Sequence, residues 1–153
     1  MIRPYLTVLT EFWGKDDRRA FFNTLKRISA VIAGLTVLAV GGTLCLGKWV
    51  LSVMEQIMGG DPGVLTAHFW AFTGIVLGGG FYAFANLMYY ALVIMRRQKT
   101  VFFVYGAGAL AAVVLSGALV GAFGIGGGAL CYLLLMAGLC AGFGICTAIG
   151  LKK

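Results

Sequence analysis

Three long uncharged segments dominate the pattern of hydrophobic and polar positions along the chain. Residues 28–47, 62–95 and 100–151 contain no Asp, Glu, Lys or Arg. A transmembrane helix needs about 20 apolar residues to cross a hydrocarbon core of about 30 Å. As a single helix, the third segment would extend about 78 Å at 1.5 Å per residue, so it must turn back once. Residues 121–124 (Gly-Ala-Phe-Gly) are the best site for that turn.

The pattern therefore predicts an all-α integral membrane protein with four transmembrane helices, preceded by an amphipathic interfacial helix. The predicted transmembrane domain covers residues 28–151, with spans at about residues 28–53, 64–95, 100–121 and 125–150. Before it, residues 1–27 are expected to form a cytoplasmic amphipathic segment, and residues 152–153 a cytoplasmic tail.

The amphipathic helix is predicted from residues 16–27. Phe21, Phe22, Leu25 and Ile28 share one face at helical spacing. We expect this apolar face to lie in the headgroup boundary of the bilayer and to lead into the first span.

The basic residues predict the orientation of the chain in the membrane. The protein has 12 Lys and Arg against 5 Asp and Glu, a formal net charge of +7. Eleven of the basic residues fall in residues 1–27, 96–99 and 152–153, which four spans bring to the same side. The positive-inside rule places this side, with both termini, in the cytoplasm. The expected location is the cytoplasmic membrane, as a multi-pass protein. Three or five spans would separate the basic clusters.

Composition excludes several other classes of protein. Hydrophobic residues make up 61% of the chain and charged residues 11%, against about 25% charged residues in soluble domains. A soluble enzyme is therefore excluded, and no nucleic-acid partner is expected because the basic clusters alternate with long uncharged stretches. The single His68 has no acidic neighbour in its span, and the four cysteines form no CxxC pair. No catalytic residue, metal site or cofactor is expected.

Glycine pairs and one amide are the notable features within the predicted spans. Pairs at four-residue spacing can let another helix backbone approach closely, and we interpret them as packing surfaces with unassigned partners. Asn86 would lie about 15 Å from Arg96 along a helix, well inside the bilayer. An interhelical hydrogen bond is the favoured interpretation of Asn86, and a position in a polar cavity is the alternative. The glycine pairs are Gly74/Gly78, Gly117/Gly121, Gly124/Gly128 and Gly138/Gly142.

Three motifs resemble those of a known transporter family. PYLTVLTEFWGKDD at residues 4–17 resembles the cytoplasmic loop before the last four helices of bacterial polysaccharide flippases. FYAFANLMYYAL at residues 81–92, followed by RRQK at 96–99, resembles the family's antepenultimate helix and basic loop. FGIGGGA at residues 123–129 resembles the signature that opens its final helix. The family is the polysaccharide transporter branch of the multidrug/oligosaccharidyl-lipid/polysaccharide exporter superfamily.

The resemblance implies that the protein flips an undecaprenyl-diphosphate-linked oligosaccharide across the cytoplasmic membrane by alternating access. Membrane lipid and this lipid-linked substrate would then be its partners. Arg96, Arg97 and Lys99 could meet the diphosphate at the cytoplasmic mouth, and Asn86 could line the cavity. The alternative is that the three cations only determine the orientation of the chain.

The resemblance implies a whole transporter with at least twelve spans in two related halves. This chain resembles the last four of those spans. Alternating access requires two repeats that move against each other. We therefore expect the chain to be inactive alone and to need a partner chain that supplies the N-terminal helices. Two other interpretations remain open: a small four-span exporter that works as a homodimer, and a non-transporting membrane adaptor of a polysaccharide-synthesis complex.

Overall fold

A computed structural model describes residues 18–59 and 63–151, which are almost entirely helical. Residues 1–17 lie outside the described ranges, and they include the N-terminal motif and most of the predicted amphipathic segment. The tail at 152–153 also lies outside them. The helices, in chain order, are α1 (Arg18–Met58), α2 (Val64–Ala67), α3 (Phe69–Ile94) and α4 (Gln98–Leu151).

Three of these helices are long and apolar enough to cross a membrane. They are Arg19–Met58 within α1, Phe69–Ile94 and Gln98–Ile149 within α4. Large apolar side chains cover their outer surfaces: Val37 and Leu38 of α1 are 72% and 73% exposed. Such extensive apolar exposure marks a surface that contacts lipid or another protein. The structure thus fits a multi-pass membrane protein.

Gly124 divides α4 into two halves that lie side by side. Its backbone angles, φ 55° and ψ −129°, are non-helical, and glycine adopts a positive φ without the clash that a Cβ would cause. Across this break, the ring centroids of Tyr105 and Phe143 lie 5.0 Å apart. A Cβ on Gly108 would meet Leu139 Cδ2 at 2.8 Å. The chain therefore reverses direction at Gly124, where the sequence predicts the turn.

α1 and α3 pack against each other in antiparallel orientation. Near the C-terminal end of α1 and the start of α3, a Cβ on Gly47 would lie 2.9 Å from Cε2 of Phe69. Further along α3, Gly80 faces the side chain of Thr36 so closely that no Cβ fits between the helices. Glycine at both contacts allows the two helices to approach each other closely.

α3 also packs against the second half of α4, and this pair is parallel. Gly78 contacts the ring of Tyr132, and a Cβ there would lie 2.6 Å from Cε1. Eleven residues further along both helices, the ring centroids of Tyr89 and Phe143 are 6.3 Å apart. α3 therefore has α1 as one neighbour and α4 as another.

Residues 18–27 form the start of α1 and are continuous with the rest of the helix. Part of their apolar face packs against protein. Phe21 and Leu25 are buried in one cluster with Leu92 and Met95 at the end of α3. Phe22, in contrast, is half exposed. The sequence analysis assigns this whole face to the lipid headgroups, but Phe21 and Leu25 pack against protein, because periodicity does not distinguish protein from lipid as a partner.

Candidate functional site

Two of the predicted cationic residues, Arg96 and Arg97, lie in the tight turn between α3 and α4, and Lys99 lies in the first turn of α4. Arg96 has a φ of 55°, the left-handed conformation that commonly ends a helix and that glycine adopts most easily. The N–H of Arg96 donates to the carbonyl of Val93, and the N–H of Arg97 donates to that of Leu92, both at 3.0 Å. These two bonds satisfy carbonyls that the end of α3 would otherwise leave free. Arg96 and Lys99 are exposed, and Arg97 is half-buried.

The cluster formed by Phe21, Leu25, Leu92 and Met95 brings the start of α1 to this turn. Lys26 and Arg27 directly follow Leu25 and are exposed, while Arg96 directly follows Met95. The cations of both segments therefore lie at one end of the bundle, called the basic end below. Among residues 18–59 and 63–151, the one carboxylate side chain is Glu55, and it lies at the opposite end.

Asn86 lies away from the basic end, in the middle of α3. Ten residues, or about 15 Å of helix, separate it from Arg96. Its side-chain N–H donates to the carbonyl of Tyr82 at 3.2 Å, within its own helix. The structure therefore groups Arg96, Arg97 and Lys99 but does not join Asn86 to them, and this hydrogen bond is not the interhelical bond favoured from sequence.

An aromatic cluster lies between Asn86 and the basic end. The ring of Tyr89 meets Tyr105 edge-on at 6.0 Å and Phe143 at 6.3 Å. Phe143 is fully buried. Because these rings come from α3 and both halves of α4, edge-to-face contacts between them hold the three segments in register.

Glu55 organises the opposite end of the bundle. Its carboxylate accepts backbone N–H groups from Gly63 at 3.1 Å, Leu65 at 2.6 Å and Thr66 at 2.9 Å. The side chain is buried, with 6% exposed. Charge-assisted bonds to backbone N–H groups are stronger than neutral ones, so Glu55 ties the end of α1 to α2.

The sequence analysis missed this role of Glu55, which lies outside the four predicted spans. A signal was present: the carboxylate precedes a Gly-Val-Leu-Thr segment at residues 63–66, whose backbone N–H groups begin a short helix and need acceptors. The acceptor and its donors, however, lie eight to eleven residues apart, on either side of the break between α1 and α2. Local pattern alone could not pair them.

Two further features lie at this opposite end. The ammonium group of Lys48 stands 5.6 Å from the ring centroid of Phe69, within cation–π distance. A half-open apolar cavity of about 330 Å³ lies between the start of α3 and the turn of α4. Its lining residues are Trp70, Ala71, Gly74, Phe123, Gly126, Ala129, Leu130 and Leu133.

Within the two described ranges, no three His, Cys, Asp or Glu residues lie together where they could hold a metal ion. The chain matches no protein-family model, no curated protein and no solved structure. The basic end presents exposed cations at one end of an apolar bundle, an arrangement suited to phosphate groups at a membrane surface.

Proposed function

We propose that the protein crosses the cytoplasmic membrane four times, with both termini in the cytoplasm. It forms the C-terminal part of a transporter that flips lipid-linked oligosaccharides from the cytoplasmic to the outer leaflet. The observation that carries this proposal is the separation of charge along the bundle. Of the Lys and Arg residues in the described ranges, all but Lys48 belong to the basic end.

The reversal of α4 at Gly124 supports four spans. Each half of α4 is long enough to cross the hydrocarbon core at 1.5 Å per residue. With the α4 halves as separate spans, α1, α3 and the two halves alternate in direction. The positive-inside rule then assigns the basic end to the cytoplasm.

The basic end offers suitable chemistry for a diphosphate headgroup. Arginine guanidinium groups bind phosphate oxygens in a bidentate manner, and Arg96 is exposed in the α3–α4 turn. A diphosphate and its glycan cannot cross hydrocarbon unassisted, because burying charged and polar groups costs too much free energy. Arg96, Arg97 and Lys99 would attract the headgroup, and Asn86 would lie along its path.

A partner chain completes the transporter in this proposal. Alternating access needs two helical repeats around a central site. The motifs of this chain resemble one end of such a transporter, and the proposal assigns the other helices of the transporter to a partner. The order of the motifs along the chain supports this assignment.

The experiment is complementation of a flippase-deficient bacterium. The chain is produced together with the eight N-terminal helices of a flippase of the resembled family, and glycan export to the cell surface is measured. We expect export with both parts and none with either part alone. Failure of the pair to restore export, with both parts present in the membrane, would contradict the proposal.

A charge-conserving variant separates headgroup binding from orientation. Arg96→Lys/Arg97→Lys keeps the positive charge that orients the chain but removes bidentate phosphate contacts. We expect export to fall by about tenfold, because one charge-assisted bidentate contact contributes on the order of 1.5–3 kcal/mol. Unchanged export would mean that the cations act through orientation alone.

A further inference from the structure

Two exposed cations of α1 mark the boundaries of an uncharged band around the bundle. Arg27 and Lys48 are both exposed, and residues 28–47 between them carry no charge. The helix between the two cations is about 30 Å long, which is the thickness of a hydrocarbon core. The ammonium group of Lys48 lies 5.6 Å from the ring centroid of Phe69. The start of α3 therefore lies at the membrane boundary opposite the basic end.

The apolar cavity beside the start of α3 extends from this boundary into the uncharged band. Trp70 and Phe123 line its shallow end, and Leu133 lines its deep end. Leu133 is level with Gly78 of α3, since a Cβ on Gly78 would lie 3.6 Å from the Cα of Leu133. The helix from Trp70 to Gly78 measures about 12 Å, so the cavity stays within one leaflet of a core about 30 Å thick.

The dimensions of the cavity fit a single hydrocarbon chain. Spread over about 12 Å of helix, the volume of about 330 Å³ has a mean width of about 6 Å. An α-helix with its side chains is about 10–12 Å across and is too wide to enter. Carbon atoms in contact lie about 3.5–4.0 Å apart, so an unbranched chain of methylenes needs a channel about 4–5 Å wide. Water is not favoured, because cavities lined by apolar side chains stay dry.

The mouth of the cavity is continuous with the lipid-facing surface and lies close to a positive charge. Trp70 and Phe123 line the cavity and are nevertheless 75% and 65% exposed. The ring centroids of Trp70 and Phe69 are 5.6 Å apart, and Lys48 lies over Phe69. Of the Lys and Arg residues in the described ranges, Lys48 is the one away from the basic end. Its charge complements the phosphate of an anionic lipid at this boundary.

We propose that the cavity binds one acyl chain of an anionic phospholipid from the leaflet opposite the basic end, with the phosphate of that lipid beside Lys48. The bilayer supplies such chains at this depth. A chain in the cavity gives its lining the van der Waals contacts that an empty space would lack. This lipid is held by the protein while its neighbours exchange freely. The inference does not depend on transport activity.

Native mass spectrometry of the purified protein tests the cavity. The protein is extracted in mild detergent, and the phospholipids that remain on each copy are counted during stepwise washing. We expect Gly74→Leu to lose the most tightly held lipid, because the leucine fills the cavity and a Cβ on Gly74 meets nothing within 4 Å. Gly79→Leu is the matched control on the same helix. Its Cβ also meets nothing within 4 Å, but position 79 lies outside the cavity, so retention should not change.

A double-mutant cycle tests whether one lipid contacts both Lys48 and the cavity. With the cavity intact, Lys48→Gln should weaken the retention of phosphatidylglycerol about fivefold, the effect of one basic residue near an anionic headgroup. In the Gly74→Leu background, the same substitution should have no effect, because the lipid is already lost. A fivefold effect in both backgrounds, or none in either, would overturn the proposal.

Competition between lipids tests the source of the chain. Phosphatidylglycerol should displace the retained lipid several-fold better than a polyprenyl phosphate, whose methyl branches make its chain wider than the cavity favours. Displacement by polyprenyl phosphate at the lower concentration would overturn the assignment to a phospholipid.

Circular dichroism of each variant distinguishes a lost lipid from a lost fold, because helical content should not change. Equal lipid retention by wild-type protein and a folded Gly74→Leu would overturn the proposal. Release of the lipid when the eight N-terminal helices are produced together with this chain would also overturn it, since the partner would then fill the cavity. Export in the complementation assay is a separate readout, so loss of the lipid and loss of transport can be told apart.

Discussion

At the scale of single residues, neighbouring glycines in α3 have different roles. Gly78 lies against the ring of Tyr132 and Gly80 against Thr36, while Gly74 has nothing within 4 Å of the position of its missing Cβ. The sequence analysis paired Gly74 with Gly78 because both lie on one helix face. Only Gly78 of that pair, however, is at the point where another helix comes closest.

We predict that Gly78→Ala destabilises the protein by about 1–2 kcal/mol, because overpacking outweighs the gain in helix propensity. The new Cβ would lie 2.6 Å from Cε1 of Tyr132. Unfolding in mixed micelles measures the change. The matched variant Gly74→Ala should be neutral or slightly stabilising. Equal effects of the two substitutions would show that close contact with Tyr132 does not limit residue size at position 78.

Arg96 is an arginine in a backbone conformation that favours glycine. We predict that Arg96→Gly stabilises the α3–α4 turn by about 1 kcal/mol, because a residue with a Cβ is strained at positive φ. Thermal unfolding measures the gain. Arg97→Gly is the control and should give none, since Arg97 does not share the positive φ. Greater stability of Arg96→Gly combined with lower export would identify Arg96 as a residue kept for its charge.

At the scale of elements, Glu55 connects α1 to α2 across the segment between them. Its two carboxylate oxygens accept three backbone N–H groups from residues 63–66. The φ angles of Gly59 and Gly63 are 64° and 98°, so glycine suits the backbone at both places. The end of α1 thereby determines where α2 begins.

We predict that Glu55→Ala exposes the backbone N–H groups of Gly63, Leu65 and Thr66 to faster hydrogen exchange, by several-fold. The reason is that these three donors lose their acceptors, while α1 and α3 keep their packing. Hydrogen–deuterium exchange with mass spectrometry measures the change. Gln56→Ala, at the adjacent exposed position, should leave the exchange of residues 63–66 as it is. Protection that persists in Glu55→Ala would mean that the segment is held by other contacts.

At the scale of the whole molecule, the charge of the described residues is concentrated at one end of an apolar bundle. The packing of Leu25 in one cluster with Met95 is what brings the cations of α1 to those of the α3–α4 turn. Such an arrangement suits a protein whose two ends face different aqueous compartments and whose sides contact lipid.

Cysteine accessibility in intact cells tests this arrangement. In a variant whose four cysteines are replaced by serine, we predict that a membrane-impermeant thiol reagent labels Gln56→Cys from outside and Gln98→Cys only after the cells are opened. Phe123→Cys, beside the turn of α4, should behave like Gln56→Cys if α4 crosses the membrane twice. Labelling of position 98 from outside would show that the chain has the opposite orientation. Labelling of position 123 only in opened cells would contradict four spans.

Much of the helical architecture could be predicted from sequence, and the reasons are local. The uncharged segments correspond to α1, α3 and α4, because hydrocarbon requires apolar side chains over a defined length. The turn at Gly124 could be predicted because a single helix would exceed the bilayer thickness more than twofold. The grouping of Arg96, Arg97 and Lys99 follows from their adjacency. The flippase resemblance stays a prediction.

What the sequence by itself determined is the length and polarity of each helix and the positions of its charges, since these depend on neighbouring residues and on the thickness of a bilayer. The tertiary structure decided which surfaces meet. It pairs Gly78 with Tyr132, buries Phe21 and Leu25 against the end of α3, and joins Glu55 to the start of α2. These choices depend on contacts between residues far apart in the chain, and helical periodicity gives a buried face without saying what buries it.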